Sequence, residues 1–179
     1  MRLVMSDEAA AATPTPPAPR ARTAAVLVAV ALIWVVVQIY ALSLTPFHTR
    51  GEAREAILVQ ELVRHGDWIL PRRNGVQLPR KPPLFYWLAA LTARAAGALD
   101  EASIRLPSAL MSGVACLLIT AVAGAFYGGL AAALSGLTLL MSFEWLRAAT
   151  SARVDMTLAF GLTLVFAALL RFRHAGRRG

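Results

Sequence analysis

Lys81 is the only lysine in a chain of 179 residues that carries seventeen arginines, and its setting suits a chemical role. It stands directly before Pro82-Pro83 and the run Leu84-Phe85-Tyr86-Trp87-Leu88. Paired prolines fit the first turn of a helix, whose leading N–H groups have no partner within the helix. A lysine beside such donors is a natural phosphate site. The competing reading is a surface charge that snorkels over apolar neighbours. Asp155 stands out for a different reason. It opens the apolar run 156–170, and a carboxylate at the mouth of a membrane helix is costly unless it is paired or functional. Arg153, two residues away, is an available partner. His48, His65 and His174 have no ligand spacing, so no metal cluster is expected, and a divalent metal is left open. The chain holds no phosphate loop, nucleophile elbow or dinucleotide fingerprint.

These residues must be held by elements, and the composition says of what kind. Hydrophobic residues make up 58% of the chain and charged residues 16%, against roughly 45–50% and about 25% in soluble domains. The mean hydropathy of +0.59 agrees. One cysteine, Cys116, excludes a disulfide scaffold; inside an apolar run it reads as a small filler. A net charge of +8 raises the possibility of nucleic acid, but arginines at the ends of apolar runs fit lipid headgroups better.

The pattern predicts an all-α, polytopic membrane bundle of about four spans. Residues 1–22, rich in proline and alanine, read as a disordered tail. Residues 24–44 hold about the 20 apolar residues that a bilayer requires; a cleaved signal peptide is the alternative. The uncharged stretch 106–143 is too long for one helix and is interrupted by Tyr127-Gly128-Gly129, which predicts two spans, 106–126 and 130–147, joined by a glycine turn. Gly124, Gly128, Ala132 and Gly136 recur at four-residue spacing and should let helices approach closely. A last span is expected over 154–171. The basic end 172–179 and Arg20 with Arg22 place both termini in the cytoplasm by the positive-inside bias, which leaves 45–103 as an external loop. Within it, Gly51–His65 reads as a helix with Glu52 and Glu55 on one side and Arg54 with Glu61 on another. Residues 82–93 read as an interfacial helix, with a fifth span as the alternative. The eight basic residues of this loop call for an anionic ligand.

Five short motifs, in this order and spacing, resemble one family. They are Gly51-Glu52-Ala53-Arg54-Glu55-Ala56; Gly66-Asp67-Trp68-Ile69-Leu70-Pro71 with Asn74-Gly75; Lys81-Pro82-Pro83-Leu84-Phe85-Tyr86-Trp87; Ile104-Arg105-Leu106-Pro107-Ser108; and Ala152-Arg153-Val154-Asp155-Met156. They resemble the membrane glycosyltransferases that include the aminoarabinose transferase of lipid A and, more distantly, the protein O-mannosyltransferases. The resemblance implies a GT-C fold of which this chain is the N-terminal part, inactive on its own. It also implies transfer of a sugar from a polyprenyl phosphate carrier to a lipid or protein acceptor at the outer face of a bacterial inner membrane.

The first motif of that family usually begins Asp-Glu, and its aspartate is the favoured catalytic carboxylate; here that position is Gly51, and Glu52 follows. Under this reading Glu52, then Asp155, are the candidate catalytic carboxylates. Lys81, Arg54 and Arg105 are the candidate contacts of the donor phosphate. The expected partners are membrane lipids, the polyprenyl phosphate sugar and the acceptor, with no nucleic acid. The alternative is a non-catalytic membrane protein, a transporter fragment or assembly subunit, that binds a lipid phosphate.

Overall fold

The computed structural model describes residues 19–44, 46–47, 49–69, 71–74, 76–79 and 81–175. The tail over 1–18 and the end of the basic segment, 176–179, lie outside the described residues. The architecture is an all-α membrane bundle of seven helices among the described residues: α1 (Pro19–Leu44), α2 (Arg50–His65), α3 (Leu84–Ala96), α4 (Glu101–Tyr127), α5 (Gly129–Met141), α6 (Phe143–Ala149) and α7 (Val154–Ala175). α1, α4 and α7 are long and apolar enough to cross a membrane, and α5 with α6 form a fourth such unit bent by 69°. Two boundaries differ from expectation. Residues 19–22 belong to α1 and 172–175 to α7, because arginines at a helix end are good helix formers with their heads in water.

Glycines set the packing of α1 on α4 and α5. A Cβ at Gly113 would lie 2.6 Å from the Trp34 ring, and one at Gly136 would lie 2.7 Å from Val30. The absent side chains let backbones approach, which is how membrane helices gain dispersion contacts without a hydrophobic drive between them. Trp34 Nε1 donates to Ser112 Oγ across the same seam at 3.1 Å. Cys116 is buried there with Val30 and Leu140. The turn falls at Gly128, whose φ of +88° favours glycine, so α4 and α5 form the hairpin that Tyr127-Gly128-Gly129 announced.

The expected continuous helix over 130–147 is broken. α5 stops at Met141, and Ser142 takes an extended conformation while its side chain accepts from Trp145 N to cap α6. A serine that caps competes with the helical ladder, and the bend carries Glu144 and Arg147 out of line with the apolar α5.

α2 and α3 pack against the starts of α4 and α7. Thr49 caps α2 and Gly66, at φ +73°, ends it. α3 has 13 residues, about 20 Å of helix, shorter than the roughly 30 Å core of a bilayer. Leu58, Val59 and Leu62 of α2 pack on Phe85, Tyr86, Ala89 and Ala90 of α3, with Ile104, Ala152 and Val154 closing the core from below. Pro107 sits inside α4 and has no N–H for the carbonyl of Ser103. Thr92 of α3 supplies the missing donor, its hydroxyl 2.7 Å from that oxygen. The proline that interrupts α4 thereby fastens α3 to it.

Candidate active site

The first turns of α2, the segment 73–81, the start of α3 and the α6–α7 connection enclose a cavity of about 820 Å³. Arg54, Arg73, Lys81, Arg147 and Arg153 line it, against the carboxylates of Glu52 and Glu55. A tight turn builds one wall: Arg73 and Gln77 pair across it, and Asn74 takes a positive φ of 52°. Trp87 Nε1 donates to Trp68 O at 2.7 Å, and the Arg94 guanidinium lies 5.1 Å over the Trp68 ring, which ties the stretch before that wall to α3.

Lys81 faces two carboxylates. Its Nζ is 3.3 Å from Glu55 Oε1 and 3.9 Å from Asp155 Oδ1. The other oxygen of Asp155 lies 3.1 Å from Arg153 Nη2, and Arg153 Nη1 reaches Glu144 at 3.9 Å. Arg147 closes the row on Glu144. Cations and carboxylates therefore alternate along the wall, and the exposed ones are screened by water and salt. Glu55 is more sheltered: the Tyr86 hydroxyl donates to its Oε2 at 2.5 Å. Burial first, and this bond to Glu55 second, push the Tyr86 phenol well above its ordinary value.

Glu52 occupies a different environment. Its side chain is 2% exposed, and its Oε1 accepts from Arg105 Nε at 2.9 Å and from the backbone N–H of Ala152 at 3.1 Å. Arg105 is itself buried, with Nη2 donating to Pro46 O at 3.0 Å and the guanidinium 5.2 Å over the Phe47 ring. This pair joins α2, α4 and the connection before α7. Ser108 Oγ, 3.4 Å from Arg153 N, holds the same connection from α4.

Of the residues singled out in the sequence, Glu52, Arg54 and Lys81 line one cavity, Asp155 touches it through Lys81, and Arg105 stands behind Glu52, out of reach of the cavity's contents. Sequence reading passed over Glu55, Tyr86, Arg73, Glu144 and Arg147 as site residues. The one available signal was helical phase, which put Glu55 on the Glu52 side of α2. Among the described residues no three His, Cys, Asp or Glu side chains gather as a metal group.

Comparison with known proteins bears on the family and the fold. The profile of the dolichyl-phosphate-mannose-protein mannosyltransferases matches residues 80–178. An undecaprenyl phosphate-alpha-4-amino-4-deoxy-L-arabinose arabinosyl transferase of Pseudomonas savastanoi pv. phaseolicola is 34% identical over 92 residues, 51% of this chain and 17% of that protein. Its counterpart in Aeromonas salmonicida is 30% identical over 88 residues, 49% of this chain and 16% of that one. Among solved structures, ArnT from Cupriavidus metallidurans bound to undecaprenyl phosphate superimposes with a TM-score of 0.71 at 33% identity, covering 80% of this chain and 26% of that one. Its apo state gives 0.71 at 31% identity, covering 84% and 27%. The chain thus spans about a sixth of the curated relatives and about a quarter of the solved structure. With more than half of its length matched by the profile and its helices arranged as in a GT-C enzyme, the chain belongs to the dolichyl-phosphate-mannose-protein mannosyltransferase family.

Proposed function

We propose that the protein is a membrane glycosyltransferase. It moves a sugar from a polyprenyl phosphate carrier to a lipid or protein acceptor at the outer face of the bacterial inner membrane. The observation that carries this reading is the cavity itself: five cationic side chains around about 820 Å³, beside helices suited to a bilayer. The names of the arabinosyl transferases support a pentose, an amino-deoxyarabinose, as the sugar. In the reaction the bond between C1 and the phosphate oxygen breaks, the acceptor oxygen takes its place, and the acceptor proton leaves to a base. Lys81 and Arg54, joined by Arg153, meet the phosphate, whose charge grows as that bond breaks. Asp155, with a side chain 56% exposed, is the carboxylate with room for an acceptor hydroxyl. Glu52, engaged by Arg105 and Ala152, holds the wall.

A second reading, phosphate binding without transfer, is favoured by Gly51. This residue lines the cavity with no side chain, where the family pattern puts an aspartate. Two measurements on the full-length protein in nanodiscs separate the readings: the affinity for undecaprenyl phosphate and the transfer of radiolabelled sugar from its undecaprenyl phosphate conjugate. Lys81→Ala is expected to weaken binding by about tenfold or more, the worth of a charge-assisted contact of about 1.5–3 kcal/mol, and to abolish transfer. Wild-type binding in that variant overturns the first reading and the second together. Tight binding with no transfer by the wild type leaves the second.

A further inference from the structure

Lys81 is one of the cations that meet the phosphate in the reading above, on which this inference rests, yet a lysine ammonium on four methylenes is intrinsically poorly localised. Its side chain is 41% exposed, so packing alone does not hold it. Two carboxylates reach it, and they are not equivalent. Asp155 is exposed, farther away, and already bound to Arg153 at 3.1 Å. Glu55 has a side chain only 12% exposed and lies closer, at 3.3 Å. It is also fixed from behind, because the Tyr86 hydroxyl, on a ring 1% exposed, donates to its Oε2 at 2.5 Å. Tyr86 is wedged in turn by Phe85 and the α2–α3 core.

We propose that Tyr86 and Glu55 are positioning residues: the phenol fixes the Glu55 carboxylate, which presents one oxygen to Lys81 and so sets the ammonium at the cavity wall for a lipid-linked phosphate. Asp155 is the exchangeable partner. An arriving phosphate takes over its contact with Lys81, and Arg153 retains it. Loss of the phenol frees Glu55 in either of two ways. The carboxylate turns both oxygens onto Lys81 and competes with the phosphate, or it swings away and takes the lysine with it. Both weaken phosphate binding.

A double-mutant cycle isolates this coupling from general damage. Undecaprenyl phosphate is titrated onto the full-length protein carrying Tyr86→Phe, Lys81→Ala or both, with monodispersity checked for each. Tyr86→Phe removes one hydroxyl and keeps the ring that packs the core. The expected result is a Kd about fivefold higher for Tyr86→Phe in the wild-type background and unchanged by Tyr86→Phe in the Lys81→Ala background. An equal loss in both backgrounds overturns the inference, because the phenol then acts by supporting the fold. No loss in either, with Lys81→Ala still weak, also overturns it and leaves the role of Lys81 intact. A Lys81→Ala variant that binds as tightly as wild type removes the phosphate reading itself.

Discussion

Glu52 lines the cavity and Asp155 reaches it through Lys81, and the two carboxylates have contrasting surroundings. Glu52 is enclosed with Arg105, each 2% exposed or less. Breaking a buried ion pair from one side leaves a charge that water does not reach. Arg105→Ala is therefore expected to cost about 3–5 kcal/mol of stability, read as a lower denaturation midpoint in detergent, whereas Glu52→Gln with Arg105→Met should recover most of that loss. Recovery of nothing would mean the pair does more than balance its own charge. Gly51 gives a second prediction at this scale. A Cβ there meets Thr49 Oγ1 at an ordinary 3.6 Å, and a carboxylate in the first turn of α2 is favoured by the helix dipole. Gly51→Asp should leave the melting temperature unchanged or higher, and under the transferase reading should raise the transfer rate; a fall in melting temperature would contradict the space seen there. Lys81 and Arg54 were legible in the sequence because a lone lysine at a helix start and an arginine on an external helix stand out locally. The Tyr86–Glu55 bond was not, since it joins residues 31 apart, and nothing in either segment specifies the other as partner.

Asp100 and Ser103 begin α4 with a capping box: each side chain bonds the other's backbone N–H. Replacing Asp100 by alanine should cost about 1 kcal/mol. The hydrogen bond from Ser103 N, and after it the Ser103 hydroxyl, lower the Asp100 pKa below its ordinary value. A lowered folded pKa means the stabilisation is complete above the unfolded value, about 3.9, and is lost as pH falls through the folded one. Melting curves of wild type and Asp100→Ala should therefore differ at pH 7 and converge in acid; a gap that persists would assign the effect to something other than the ionised cap. The seam between α1 and α4 tests packing. Gly113→Ala puts a Cβ 2.6 Å from the Trp34 ring and should lower the melting temperature; an unchanged one would contradict the close approach. Helix existence was legible from unbroken apolar runs, and the hairpin from its glycines. The break at Ser142 was not, because a serine in an apolar run is compatible with a span until its side chain turns to cap α6. Beyond the bend, Glu144 pairs with Arg147 and reaches Arg153.

The whole molecule has two ends, and long-range contacts define them. A Cβ at Gly129 would lie 3.2 Å from Arg22, so the start of α1 sits beside the α4–α5 turn. The Glu52–Arg105 pair and the Ser108–Arg153 bond put the loop helices, the start of α4 and the start of α7 together at the opposite end. Arg20 and Arg22, the Tyr127 turn and Arg171 with Arg173 therefore share one side, and the cavity occupies the other. The sequence conveyed this arrangement only as a charge bias, in which a long loop carrying eight basic residues spoke against itself. Three of those eight, Arg54, Arg73 and Lys81, line the cavity, and Lys81 is paired there with Glu55. From the positive-inside bias we propose that the arginine-ended side faces the cytoplasm. In a Cys116→Ala background, Ile69→Cys and Val76→Cys, at positions 83% and 81% exposed, should react with a membrane-impermeant maleimide added to intact spheroplasts. Tyr127→Cys, at a position 82% exposed, should react only after the membrane is opened. Inverted labelling would reverse the orientation and with it the face on which the cavity opens, while labelling of all three from one side would contradict the arrangement of the spans.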